Sequence, residues 1–142
     1  MSVDQRLRTR ATELFGVPYP IVQTGMGWVA GPSLVIGAAE AGGLGVLASA
    51  TMTLDEMDAA IAEVRSRTER PFGVNLRPDA IDLDDRAERL VRAGVRVASF
   101  AGPPPARVVR RLRDGGVLVM PTVGARRHAE KMAELGADAI LC

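Results

Sequence analysis

The stretch EAGGLGVL, residues 40–47, carries the end of one predicted helix directly into the start of a predicted strand. Its helical part stops at Gly42, since glycine readily adopts the left-handed conformation that closes a helix. The apolar residues that follow are typical of a buried strand. A helix that passes straight into a buried strand indicates an α/β fold.

Three later stretches repeat this arrangement, and each has a glycine at the predicted helix end. They read RAGVRVAS at 92–99 with Gly94, RDGGVLVM at 113–120 with Gly115, and ELGADAIL at 134–141 with Gly136. Strands are then predicted to begin near Pro20, Leu44, Phe72, Val95, Val117 and Ala137. This spacing accommodates one strand and one helix per unit, which predicts a parallel sheet with right-handed crossovers.

The segment between the second and third predicted strands predicts a well-capped helix. TLDE, residues 53–56, has the form of a capping box, in which Thr53 and Glu56 satisfy each other's backbone N–H groups. Met57, Ile61 and Val64 follow at helical spacing. We expect this helix to end before Pro71.

The strand ends favour a closed TIM (β/α)8 barrel over an open doubly wound sheet. VQTG, VLAS, GVNL, ASFAG and MPTVG each place small polar residues after apolar ones, and a barrel builds its active site at these carboxyl ends. Six predicted strands do not close an eight-stranded barrel. The expectation is therefore that residues 1–142 are the N-terminal part of a single barrel domain, truncated to about the first six β strands.

Composition narrows the function classes. The formal net charge of +1 gives the chain no large excess of positive charge, which proteins that bind nucleic acid or an anionic membrane usually have. Cys142 is the only cysteine, so the chain has neither an internal disulfide nor a Cys/His metal motif, and the acidic stretch 79–85 is interpreted as a solvated loop rather than a metal site. With no signal peptide or membrane span in the sequence, we expect a soluble, cytoplasmic protein.

The stretch PIVQTGMGWVAG, residues 20–31, is the most informative for function. A predicted strand runs into Gly25, Met26, Gly27 and Trp28. Glycines have no Cβ, so their backbone lets a flat ring or a phosphate approach closely.

PIVQTGMGWVAG, AGGLGVLASATMT, PFGVNLRP and GADAIL together resemble the nitronate monooxygenase and 2-nitropropane dioxygenase-like FMN flavoproteins. This family also includes flavin-dependent enoyl-ACP reductases, NADH:quinone reductases, and coenzyme A thioester oxidoreductases of steroid degradation. The ATMT and ASFAG segments incline the resemblance mildly toward the last branch. The resemblance implies an FMN-dependent oxidoreductase that acts on a small organic or CoA/ACP-thioester substrate, with NAD(P)H as a candidate electron donor.

The resemblance also implies roles for particular residues. It assigns cofactor contacts to Gly25, Met26, Gly27, Asn75 and Thr122, and it places Trp28 on the substrate side. Other readings stay open: Met26 and Trp28 as hydrophobic filler, and Asn75 as the cap of the next loop. Thr122 departs from relatives that carry a lysine at this place.

No catalytic residue is assigned within the chain. His128, the only histidine, falls in a predicted outer helix and is not expected to act as a base. The family's histidine, and the glycine-rich loops that hold the FMN phosphate, are expected after Cys142.

Three alternatives to the thioester oxidoreductase remain at this point. The first is an enzyme that oxidises alkyl nitronates with O2. The second is a non-catalytic barrel fragment that pairs its open strand edges with another chain. If that chain is a second copy, the protein forms a homo-oligomer. The third is a phosphate-binding barrel without flavin.

Overall fold

The computed structural model describes residues 5–142, with helices and strands in alternation after a short 3-10 turn at Gln5–Leu7. The helices are α1 (Arg10–Phe15), α2 (Pro32–Glu40), α3 (Leu54–Arg67), α4 (Leu83–Ala93), α5 (Ala106–Asp114) and α6 (Arg126–Glu134). The strands are β1 (Val22–Gln23), β2 (Leu44–Ala48), β3 (Phe72–Leu76), β4 (Val97–Phe100) and β5 (Leu118–Pro121). Each strand begins within two residues of its predicted start.

The strands form one sheet in the order β1-β2-β3-β4-β5. β1 pairs with β2 in parallel, with Val22 opposite Leu44, and β4 pairs with β5 in parallel, with Val97 opposite Leu118. A sheet in sequence order has no point at which the strand order reverses, unlike a doubly wound sheet. The topology therefore agrees with the predicted barrel.

The chain divides into two compact units, one ending at Gly73 and one comprising Val74–Cys142. In the first unit, all five residues of β2 are buried, and α2 packs against this strand without an intervening side chain. A Cβ added to Gly45 would lie 2.5 Å from the backbone oxygen of Val35 in α2. Only glycine allows this approach of helix to strand.

Helix α3 confirms the predicted capping box. The Glu56 carboxylate accepts from the Thr53 N–H at 2.7 Å, and the Thr53 hydroxyl accepts from the Glu56 N–H at 3.3 Å. Met57, Ile61 and Val64 are buried, and the helix ends at Arg67, before Pro71 as expected.

In the second unit, the glycine prediction holds at Gly94 and fails at Gly115. Gly94 ends α4 with a φ of 62°, in the left-handed region. Gly136, with a φ of 95°, and Gly42 of the first unit, with a φ of 92°, also adopt the left-handed conformation after their helices. Gly115 instead has a φ of −84°, and the next residue, Gly116, takes the left-handed conformation at 78°. Gly115 serves close packing, because an added Cβ would lie 2.4 Å from Cγ1 of Val91 in α4.

The prediction of a strand that begins near Ala137 is wrong. The structure has an isolated parallel bridge between Thr122 and Leu141, in which the Leu141 N–H donates to the oxygen of Pro121 at 3.0 Å. The direction of pairing is the predicted one, but the contact is too short to form a strand. Within residues 5–142, no helix combines the length and the apolar character needed to cross a membrane.

Candidate functional site

The loop that joins β1 to α2, residues 24–31, presents apolar side chains to solvent. Trp28 is 91% exposed and Val29 63%, while Met26 is 39% exposed. Backbone bonds shape the loop, since the oxygen of Met26 accepts from the N–H groups of Val29, at 3.0 Å, and Ala30, at 2.8 Å. Exposed large apolar residues grouped in one loop are typical of a surface that a ligand or partner covers.

Trp28 also has a strained backbone. Its φ is 58°, so a bulky non-glycine residue occupies the left-handed region, at a cost of about 1–2 kcal/mol. With its ring almost wholly exposed, burial of the side chain within the chain does not offset this cost. Strain of this kind concentrates at functional sites, which weakens the interpretation of Trp28 as hydrophobic filler.

Gly25 and Gly27 flank Met26 in the same loop, as predicted. A Cβ on Gly27 would meet only Cγ2 of Thr51, at 3.6 Å, which is an ordinary van der Waals contact. The φ of Gly27 is not in the left-handed region. Neither packing nor backbone conformation within the chain therefore requires glycine at position 27, whereas the close approach of a ligand would.

Gln23, the last residue of β1, is a candidate site residue that the sequence analysis did not single out. Its side-chain nitrogen donates to the oxygens of Thr24 and Val46, the latter at 3.2 Å. The side-chain oxygen Oε1 is buried and has no hydrogen-bond partner among residues 5–142. Because a buried polar atom without a partner is costly, this acceptor fits a ligand that brings an N–H or O–H donor.

In the second unit, a polar residue lies at or near the carboxyl end of each of three neighbouring strands. Asn75 in β3 is half-buried, and its amide nitrogen donates to the hydroxyl of Ser99 in β4 at 2.9 Å. Thr122 is exposed directly after β5, and its N–H donates to the oxygen of Phe100 at 2.9 Å. The structure thus places Asn75 and Thr122 at strand ends on either side of β4, and it adds Ser99, which the ASFAG segment contained but the sequence analysis did not single out.

Two other sequence features lie away from these strand ends. His128 lies in helix α6, as predicted. Three aspartates of the acidic stretch pair with arginines at 2.6–2.9 Å, and these hydrogen bonds lower the pKa values of Asp79, Asp82 and Asp84. Among the described residues there is no group of three or more His, Cys, Asp or Glu side chains that could hold a metal.

The chain is similar to known proteins over nearly its whole length. A family model described as nitronate monooxygenase matches residues 8–142. The chain is 58% identical to a (3aS,4S,5R,7aS)-5-hydroxy-7a-methyl-1-oxo-octahydro-1H-indene-4-carboxyl-CoA dehydrogenase of Mycobacterium tuberculosis, over 96% of this chain and 38% of the relative. It is 36% identical to a nitronate monooxygenase of Pseudomonas aeruginosa, over 70% of this chain and 29% of the relative.

Among solved structures, FabK from Thermotoga maritima superposes with a TM-score of 0.90 at 36% identity, over 94% of this chain and 43% of that one. A nitroalkane oxidase from Streptomyces ansochromogenes gives 0.82 at 32% identity, over 93% of this chain and 47% of that one. The chain thus spans less than half the length of these relatives. The similarity confirms the predicted fold class, a portion of an α/β barrel, and the structure shows five of its strands.

Proposed function

Because the chain belongs to the nitronate monooxygenase family, we propose that it contributes the β1–β5 part of an FMN-dependent oxidoreductase that acts on a coenzyme A thioester. The observation that carries the substrate class is the high identity to a carboxyl-CoA dehydrogenase across almost the entire chain. The ATMT and ASFAG segments, which resemble the thioester branch, support the same choice.

The residues of the β1–α2 loop fit a flat heteroaromatic ring. Glycine at 25 and 27 lets the backbone approach the ring, and the polarizable thioether of Met26 packs on its face. Gln23 Oε1 accepts a hydrogen bond from a ring N–H, which gives this buried oxygen a hydrogen-bond partner. Trp28 lies on the substrate side, where its exposed indole covers an apolar substrate.

Asn75 and Thr122 are the proposed cofactor contacts of the second unit. Ser99 orients the amide of Asn75 through their hydrogen bond, so that the amide keeps one direction when a ligand binds. Thr122 offers a hydroxyl that both donates and accepts. When bound, FMN would supply the redox chemistry, while the chain's own residues would bind and orient the ring and the substrate and exclude water.

A fluorescence titration tests the cofactor proposal directly, because Trp28 is the only tryptophan. We expect FMN to quench the indole emission saturably, and riboflavin to do so with similar affinity, because the contacts proposed within this chain are to the ring and not to the phosphate. Met26→Ala should reduce the affinity, whereas Met52→Ala, another methionine in a loop of the same unit, should leave it unchanged. Absence of quenching by FMN, with binding of other nucleotides, would favour the phosphate-binding barrel without flavin.

Oxidation of alkyl nitronates with O2 is the second candidate, favoured by the family description and by the Pseudomonas aeruginosa relative. Anaerobic stopped-flow mixing of the flavin-loaded protein with NAD(P)H separates the two. Rapid bleaching of the flavin by NAD(P)H or by a coenzyme A thioester supports the thioester oxidoreductase, and bleaching by an alkyl nitronate alone supports the nitronate reaction. A flavin that none of the three reagents reduces indicates the non-catalytic fragment.

We also propose that the protein works in the cytoplasm on small molecules and not on nucleic acid, since its charge is nearly balanced. Self-association into a homo-oligomer would cover strand edges. Size-exclusion chromatography with light scattering tests this, because a mass of 15.0 kDa identifies the monomer.

A further inference from the structure

A second concave surface lies in the unit formed by Val74–Cys142, apart from Asn75 and Thr122. It is an open groove of about 700 Å³, which is within the usual range for small-molecule sites. Prolines that follow β3 and β4 form one wall, namely Pro78, Pro103, Pro104 and Pro105. Helix α6 forms the other wall.

The proline wall is rigid. Proline rings fix the backbone φ, and Pro104 is itself buried. Gly102 precedes the prolines with a φ of 137°, and a Cβ there would lie 3.4 Å from Cγ of Pro78, so the two ends of the wall pack together. A wall formed in advance spares a ligand the entropic cost of ordering it.

The α6 wall combines an apolar floor with positive charge. His128, Lys131, Met132 and Leu135 lie at helical spacing on one face, and Met132 is almost completely buried. Lys131 forms no ion pair with any residue that the structure describes. Arg107 adds a guanidinium at the N-terminal end of α5, where its Nη2 also forms an ion pair with the Asp84 carboxylate at 2.9 Å. Among the described residues, no acidic side chain lines the groove.

We propose that this groove binds the adenosine phosphate end of a coenzyme A thioester. Pro103, Pro105 and Leu135 offer apolar contact to a purine, while Lys131 and Arg107 attract the phosphates. The groove begins at Pro78, three residues after Asn75, so it opens at the same end of β3 as the proposed cofactor contact. This inference rests on the proposed thioester substrate.

The histidine of the groove allows a selective test, because His128 is the only histidine in the chain. Its ring C–H resonances in an NMR spectrum are therefore unambiguous. We expect coenzyme A to shift them saturably and 3′-dephospho-coenzyme A to bind more weakly. NADPH and NADH, which also carry adenosine phosphates, are the comparison ligands, and tighter binding of either than of coenzyme A would overturn the assignment.

Lys131→Gln should weaken coenzyme A binding about fivefold through the loss of one phosphate contact. Arg127→Gln is the matched control, since Arg127 is an exposed cation of the same helix that does not line the groove. An equal effect of the two variants, or no shift of the His128 resonances with coenzyme A, overturns the proposal. FMN binding is read separately from Trp28, so failure of the cofactor proposal and failure of this one are distinguishable.

Discussion

The side-chain amide of Asn75 donates a hydrogen bond of 2.9 Å to the hydroxyl of Ser99 on the neighbouring strand. Ser99 is only 2% exposed, so water cannot readily replace this contact. A buried hydroxyl behind a half-buried amide determines which way the amide points. Ser99 is therefore a positioning residue for Asn75.

Ser99→Ala removes this support while leaving Asn75 in place. We expect the free energy of unfolding to fall by about 1 kcal/mol and the affinity for FMN to fall about three- to tenfold. Ser66→Ala is the control, because Ser66 is an exposed serine that bonds to the oxygen of Glu63 within α3. The affinity is measured by quenching of Trp28, and a loss of stability without any loss of affinity would refute the positioning role.

Trp28→Gly should affect stability and binding in opposite directions. Glycine tolerates a φ of 58°, so the free energy of unfolding should stay unchanged or rise by up to about 1 kcal/mol. Loss of the aromatic face should weaken binding of the apolar substrate about tenfold. Thermal unfolding and substrate-induced changes in flavin absorbance measure the two effects. Trp28→Phe should retain both the strain and most of the binding, and a marked loss of stability in the glycine variant would show that contacts within the chain hold Trp28.

Asp82→Asn should lower stability in a pH-dependent way. Arg86 is buried and donates to the Asp82 carboxylate at 2.8 Å, a hydrogen bond that lowers the pKa of Asp82 below its ordinary value of 3.8. The stabilisation is therefore present above pH 3.8 and is lost as the pH falls through the lower pKa of the folded state. At pH 7 we expect a loss of about 1–2 kcal/mol.

Asp79→Asn provides the control for this prediction, since the Asp79–Arg77 pair is exposed on both sides. Its loss should have little effect on stability, because solvent screens an exposed ion pair. Urea unfolding of the wild type and both variants at pH 7 and pH 2.5 measures the differences. A destabilisation by Asp82→Asn that is the same at both pH values would contradict the assigned role of the ion pair.

Gly115→Ala and Gly116→Ala should both destabilise the fold, for different reasons. The first places a Cβ against Val91 and should cost about 1–3 kcal/mol, whereas the second has open space but a strained φ of 78° and should cost about 1 kcal/mol. Adding Val91→Ala should rescue part of the first loss and none of the second. Denaturant unfolding of the single and double variants tests this, and equal rescue of both would contradict the packing explanation.

These two glycines show where sequence patterns are informative and where they are not. A glycine pair after a helix predicts a left-handed residue but does not tell which of the two adopts it, because that depends on the residue at which the helix ends. The contact of Gly115 with Val91, 24 residues away in the chain, was not predictable from the local pattern. The capping box at Thr53 was predictable, since its contacts lie within four residues. Local signals predicted the elements, and tertiary contacts set the exact roles.

The same distinction applies to the candidate site. The positions of the glycine-rich loop after β1 and of Asn75 near the end of β3 were predictable from the strand pattern, whereas their cofactor contacts stay a prediction. Gln23 and Ser99 were missed because their importance depends on what surrounds them: one has a buried oxygen without a partner, the other supports an amide on the next strand. The sixth strand was predicted from a glycine at a helix end followed by apolar residues, a local pattern that does not reveal how far the pairing with the next strand extends.

The close contact of Gly45 with Val35 also bears on how the β1–α2 loop responds to a ligand. This contact holds α2 against β2, and the Ala48 N–H donates to the oxygen of Ala30 at 2.9 Å, so the loop is tethered just before the helix begins. β1 tethers its other end. A loop held at both ends has little freedom left to lose, so most of its contact energy with a ligand appears as affinity rather than being spent on ordering.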